Sequence, residues 1–204
     1  MRNYITEFIG TFFLVLAIAF SGDPIIIGIT LMVMVYMGGH ISGAHYNPAV
    51  SIAMIIRGLL TSSEAIRYII AQLLGASFAV IFFYWITGNM MKVTPNETIP
   101  LLQVLIIEIL FTFILVLVIL NVATNSKTEG NSYYGIAIGS TVMFAAYIGG
   151  GISGGAYNPA VGIAPIIMDI IFSNEFLPSN ILLYSLAPIT GGLLAVFLYR
   201  NITN

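Results

Sequence analysis

Gly38-Gly39-His40-Ile41-Ser42-Gly43-Ala44-His45-Tyr46-Asn47-Pro48-Ala49-Val50 decides the fold because it occurs twice. The stretch Gly149-Gly150-Gly151-Ile152-Ser153-Gly154-Gly155-Ala156-Tyr157-Asn158-Pro159-Ala160-Val161 repeats its Ile-Ser-Gly and Tyr-Asn-Pro-Ala-Val in the same register. Each copy reads as a loop that turns into a helix. Gly and Ser supply irregular backbone, Asn is a preferred N-cap, and Pro fits the first helical position, where its missing N–H costs nothing. Asn47 and Asn158 are therefore each expected to cap a helix, with His40 and His45 on the first loop.

The rest of the chain is apolar. Hydrophobic residues make up 59% of the 204 and charged residues only 7%, against about 25% charged in a soluble domain; mean hydropathy is +1.02. This is the composition of an integral membrane protein. The net charge of −2 argues against a nucleic-acid partner, and the absence of Cys excludes disulfides and thiolate metal sites. No nucleophile–base pair, phosphate loop or metal cluster stands out, so neither an enzyme nor a cofactor is expected.

Apolar stretches at about 4–20, 25–39, 65–87, 100–121, 134–150 and 180–199 give six spans. Those after the Asn-Pro-Ala triplets, about 48–57 and 159–170, are too short to cross: ten helical residues rise about 15 Å, half the hydrocarbon thickness. Each is a half-helix. Arg2, Arg57, Arg67, Lys127 and Arg200 fall on one side of this arrangement and Lys92 on the other, which places both termini in the cytoplasm. The loop after the second half-helix, with Asp169 and Glu175, then faces outward.

The two halves, about 1–98 and 99–204, are repeats within a single membrane domain. Glu7 to Leu16 aligns with Glu108 to Leu117, and Tyr68 to Gly75 with Tyr184 to Gly191. The run after Met1-Arg2 has the outline of a signal peptide, but its internal relative identifies it as part of the repeat. Three spans separate equivalent points, so the second copy is inverted and the half-helix N-termini meet at mid-membrane. Irregular backbone at that depth must be buried in protein or line a wet path. Two facing N-termini, each carrying about half a positive charge, oppose cations and protons but hardly affect neutral solutes. An Asn whose oxygen caps its own helix leaves its NH₂ as a donor in the path. The bland alternative is a pair of tight turns.

The paired Asn-Pro-Ala triplets, Gly39 to His45 before the first, Tyr68 to Gly75 in the third span and Ala187 to Gly192 in the sixth together resemble the aquaporin, or major intrinsic protein, family along the whole chain. The resemblance implies an all-α membrane protein with six transmembrane helices and two re-entrant half-helices, conducting water and assembling as a homotetramer. It makes Asn47-Pro48-Ala49 and Asn158-Pro159-Ala160 the pore centre. The carbonyls of Gly43, Ala44, His45, Gly154, Gly155 and Ala156 become an acceptor ladder, and Ile27, Ala146, Gly155 and Val161 the selectivity filter. Many water-selective members carry Arg where this chain has Val161. A filter without that guanidinium is wider and less polar, which admits glycerol, urea, ammonia or hydrogen peroxide beside water.

Other polar residues leave alternatives open. Glu7 and Glu108, ionisable groups inside spans, suit proton or sodium sites, and with them a secondary transporter; they equally suit bracing the loops as acceptors for buried N–H groups. His40 and His45 form either a metal pair lacking a third ligand or a loop brace and a pore-facing imidazole. Gly75, Gly191 and Gly192 read as close-packing positions. The 121–132 connection is either a gate or a tether.

Overall fold

The structure, a computed structural model, describes residues 1–173 and 178–203. Glu175 lies outside the described residues. Among those described, eight α-helices follow in order: α1 (Arg2–Ser21), α2 (Pro24–Ser42), α3 (Pro48–Arg57), α4 (Ser62–Thr87), α5 (Leu101–Ala123), α6 (Tyr134–Ser153), α7 (Pro159–Ser173) and α8 (Pro178–Thr203). No strand occurs among the described residues. Six of the eight are long and apolar enough to cross a membrane, while α3 and α7 are shorter. The α1–α4 half and the α5–α8 half are inverted copies.

Helix ends are written in the sequence. The Asp23 carboxylate accepts from Ile25 N at 2.7 Å and Pro24 opens α2. Thr61 and Glu64 form a capping box at the start of α4. Gly43 and Gly154 stop α2 and α6 with the same left-handed φ of 85°, which glycine adopts without a Cβ clash.

Packing inverts the soluble pattern. On α4 the large residues Ile66, Ile70, Leu74, Phe78 and Trp85 point outward, while Ala65, Gln72, Gly75, Ala76 and Ala79 are buried. Between helices in lipid, close approach replaces hydrophobic drive, so small residues mark the seams. A Cβ on Gly75 would collide with the Phe8 carbonyl where α1 crosses α4, and one on Gly191 with the Ile109 carbonyl where α5 crosses α8. The two halves meet along α2 and α6, where Gly28 and Gly139 stand against each other's carbonyl oxygens, and, taken together, to a similar extent where α3 packs on α8 and α4 on α7.

The spans outrun their expected ends: α2 continues to Ser42 and α6 to Ser153. Tyr46 Oη donates to Met34 O at 2.9 Å and Tyr157 Oη to Ala145 O at 3.1 Å, each ring folding back over the helix before it. A Cβ on Gly38 or Gly149 would strike that hydroxyl, so these glycines make room for a ring within a helix. Likewise α7 runs past 170, and Asp169 is helical rather than in the following loop. The 121–132 connection folds on itself, with Thr128 Oγ1 donating to Asn121 O and Asn131 Nδ2 to Val122 O.

Candidate functional site

Each re-entrant loop hangs from one carboxylate. Glu7, fully buried on α1, accepts from Ser42 Oγ (2.7 Å) and His45 N (3.0 Å) through Oε1, and from Tyr46 N (2.7 Å) and Gln72 Nε2 (2.8 Å) through Oε2. Glu108, fully buried on α5, accepts from Ser153 Oγ (2.6 Å), Ala156 N (3.1 Å) and Tyr157 N (2.7 Å). The serines also accept from Ala44 N and Gly155 N, both at 3.1 Å. Tyr68 and Tyr184 close the arrangement by donating to the Ser42 and Ser153 carbonyls. The loops are thereby held in an unusual shape. Ala44, Tyr46 and Tyr157 take φ values of 51°, 49° and 47°, left-handed conformations that cost a non-glycine residue on the order of 1–2 kcal/mol each. The N–H groups of these loops turn toward the carboxylates and serines, which offset that cost.

At the centre the halves exchange bonds. Asn47 Oδ1 accepts from Ala49 N and Asn158 Oδ1 from Ala160 N, both at 2.9 Å, so each caps its own half-helix. Asn47 Nδ2 donates to Tyr157 O at 2.9 Å, and Asn158 Nδ2 donates to Tyr46 O at 2.8 Å. Each amide thus spends one N–H on the opposing loop, so only the other is left as the donor for the path, where the sequence alone gives the path the whole NH₂.

A cavity of about 350 Å³ runs past this junction. Leu14, Leu31, Val50, Leu115 and Ile138 make one wall aliphatic; Ala44, His45, Gly154, Gly155 and Ala156 bring the loops to it. Ile27, Ala146, Gly155 and Val161 all line it, so the four positions share one passage. Toward the face carrying the termini, His45 and Ile119 border both this cavity and a second one that includes Leu60, Glu64 and Thr124. His45 is therefore at the join, with Nδ1 3.1 Å from Ser51 Oγ.

Other expected roles move. Gly43 borders the second cavity. His40 lies exposed in the last turn of α2, with no bond to the loop, so it braces nothing and is apart from His45. Bracing falls instead to Gln72, whose Nε2 bonds both Glu7 and Ser51 Oγ (3.0 Å). It is an amide inside an otherwise apolar span, which is the signal that could have found it. Glu7 and Glu108 accept from the loops and neither lines the cavity. No cluster of three metal-ligating side chains occurs among the described residues.

Six crossing helices around one passage, with two half-helices meeting end to end beside it, form the architecture of a membrane channel. A profile of the Major intrinsic protein family matches residues 1–199. The glycerol uptake facilitator protein-like 6 of Lactiplantibacillus plantarum is 37% identical over 98% of this chain and 97% of its own. Aquaporin NIP1-1 of Zea mays is 34% identical over 99% of this chain and 75% of its own. The X-ray structure of the aquaglyceroporin from Plasmodium falciparum superposes with a TM-score of 0.84 at 25% identity, covering 98% of this chain and 96% of that one. The chain belongs to the major intrinsic protein family.

Proposed function

We propose that the protein is a passive channel for water and small neutral solutes that excludes protons and ions. The supporting observation is the reciprocal pair Asn47 Nδ2 to Tyr157 O and Asn158 Nδ2 to Tyr46 O, which fixes both amides at the junction of two half-helix N-termini. A water passing there accepts from the remaining amide N–H groups and turns its own hydrogens outward to the carbonyls on either side. That orientation breaks the hydrogen-bonded chain a proton needs, and the paired N-terminal dipoles add a barrier to cations.

Water leads, with a glycerol, urea or ammonia facilitator as the second reading. That second reading is favoured by Ile27, Ala146, Gly155 and Val161, a filter without aromatic or charged side chains, and by relatives named for glycerol uptake and aquaglyceroporin. A coupled transporter has less support, since the two buried carboxylates are engaged away from the cavity. The distribution of basic residues supports cytoplasmic termini, and the family resemblance implies a homotetramer, which the mass of the detergent-solubilised particle tests.

Stopped-flow light scattering on proteoliposomes decides the substrate. Water flux with slow glycerol and urea flux makes the four-residue filter narrow. Rapid solute flux that Val161→Arg lowers about tenfold or more makes it a broad neutral-solute pore. No flux above empty liposomes overturns the channel reading.

A further inference from the structure

The half-helix α3 ends on the face that carries the termini, and two arginine side chains cross there. Arg200, in the last turn of α8, donates through Nη2 to the Ile56 carbonyl, one of the acceptors left open where α3 stops. Arg57, the last residue of α3, reaches the other way and sets its guanidinium over the Tyr199 ring, with Cζ 5.4 Å from the ring centre. Neither is paired with a carboxylate among the described residues. Arg57 Nε is buried without any hydrogen-bond acceptor, a state that calls for a partner from outside the chain. The helix ends do not supply one. Each carries about half a negative charge, so the ends of α3 and α8 leave the two guanidiniums with about one positive charge in excess. The surface beside them is apolar: Leu59 is exposed in the turn after α3, and Leu193 and Phe197 are exposed on α8 at the spacing that puts them on one face with Arg200.

We infer that Arg57 and Arg200 form a binding site for the phosphate of an anionic phospholipid, whose acyl chains lie along Leu193 and Phe197. A planar guanidinium fork matches phosphate oxygens, and the contacts to Tyr199 and Ile56 hold both forks in place beforehand. A zwitterionic headgroup brings its own ammonium, so the excess positive charge selects an anionic one. The apolar face selects a lipid over a free phosphate. The bound lipid bridges α3, from the first half, to α8, from the second, and does so whatever the pore conducts.

The test takes the full chain in neutral detergent, titrates it with phosphatidylglycerol or with phosphatidylcholine of the same acyl chains, and counts bound lipid by native mass spectrometry. Wild type binds phosphatidylglycerol about fivefold or more tightly than phosphatidylcholine. Arg57 makes no hydrogen bond within the protein, so Arg57→Gln folds; it weakens phosphatidylglycerol about fivefold, the effect of one basic residue at an anionic surface, and leaves phosphatidylcholine unchanged. Arg57→Lys keeps the charge without the fork and falls between the two. Arg200→Gln weakens phosphatidylglycerol to a similar extent. Arg67→Gln removes the same charge from the same face, away from the site, and stays within about twofold of wild type. Equal wild-type affinity for the two lipids overturns the inference, and so does an Arg67→Gln loss as large as that of Arg57→Gln, which would leave only diffuse surface charge. Inorganic phosphate is the last arm: if it raises the melting temperature as much as phosphatidylglycerol does, and Arg57→Gln abolishes that rise, the ligand is a soluble phosphate and the lipid site is overturned.

Discussion

The first and second halves suspend their loops from equivalent carboxylates but surround them differently. In the first half His45, Ser51 and Gln72 form a buried polar chain that ties loop, half-helix and α4 together. The same places in the second half are Ala156, Gly162 and Pro188, which have no side-chain hydrogen bonds to offer. That half is steadied from outside, by the 88–100 loop clasping the end of α6 and by Val93 in the cluster around Val161. Side-chain hydrogen bonds demand fixed geometry, whereas apolar contact tolerates exchange of one shape for another. The comparison teaches that the half carrying Ala146, Gly155 and Val161, three of the four proposed filter positions, can exchange side chains along the cavity without unpairing polar groups.

Removing the carboxylates breaks the comparison most forcefully. Glu7→Ala removes the acceptor of four donors and Glu108→Ala that of three, of which Gln72 Nε2 keeps Ser51 Oγ and Ser153 Oγ keeps Gly149 O; each donor left without a partner costs about 1–3 kcal/mol. Both variants are expected to lose most of their monodisperse protein on detergent extraction, and Glu7→Ala to melt at the lower temperature; the reverse order would contradict the donor count. Asn47→Ala and Asn158→Ala come next. Each loses a cap of about 1 kcal/mol and uncovers a carbonyl in the other half. An entrapped pH dye should report faster proton entry for both, to similar extents, and a leak confined to one would show the centre to be asymmetric.

Smaller changes sharpen the contrast. Gln72→Leu takes away the fourth donor to Glu7 and also a buried Oε1 that has no partner, so its net cost is about 1 kcal/mol. In its presence the Glu7→Ala and Glu108→Ala penalties should converge, which a double-mutant comparison of melting temperatures reads. His45→Ala copies Ala156 into the first half and has the smallest effect, about 1 kcal/mol or less in stability. Water permeability should rise by about twofold at most, because the ring stands at the join of the two cavities. A large loss of water flow would make the imidazole part of the conducting path.

The architecture is legible because Asn-Pro-Ala occurs twice in matched surroundings and because half-membrane helices need only counting. Of the site, the two amides follow from the repeat, whereas the four positions that line the cavity come from the family resemblance alone. What stays hidden depends on rings and loops folding back. Nothing in Gly38 or Gly149 announces that a tyrosine hydroxyl lies against a helix there, so glycine runs that look like helix ends lie inside α2 and α6, and His40 is helical. Gln72 sits in plain view among apolar neighbours, but its partners are on other segments. Val93 is invisible because an irregular loop carries no period from which its burial can be read.

The exchange of bonds at the centre also bears on how the chain is made. Synthesis delivers α1–α4 before α5–α8, yet the second bond of the Asn47 amide ends on Tyr157 O, and the Tyr46 carbonyl waits for Asn158. A newly inserted first half therefore holds an unmet donor and an unmet acceptor at membrane depth, a state that water must cover. Completion of each loop is conditional on the other, which makes the arrival of α7 the step that closes the fold.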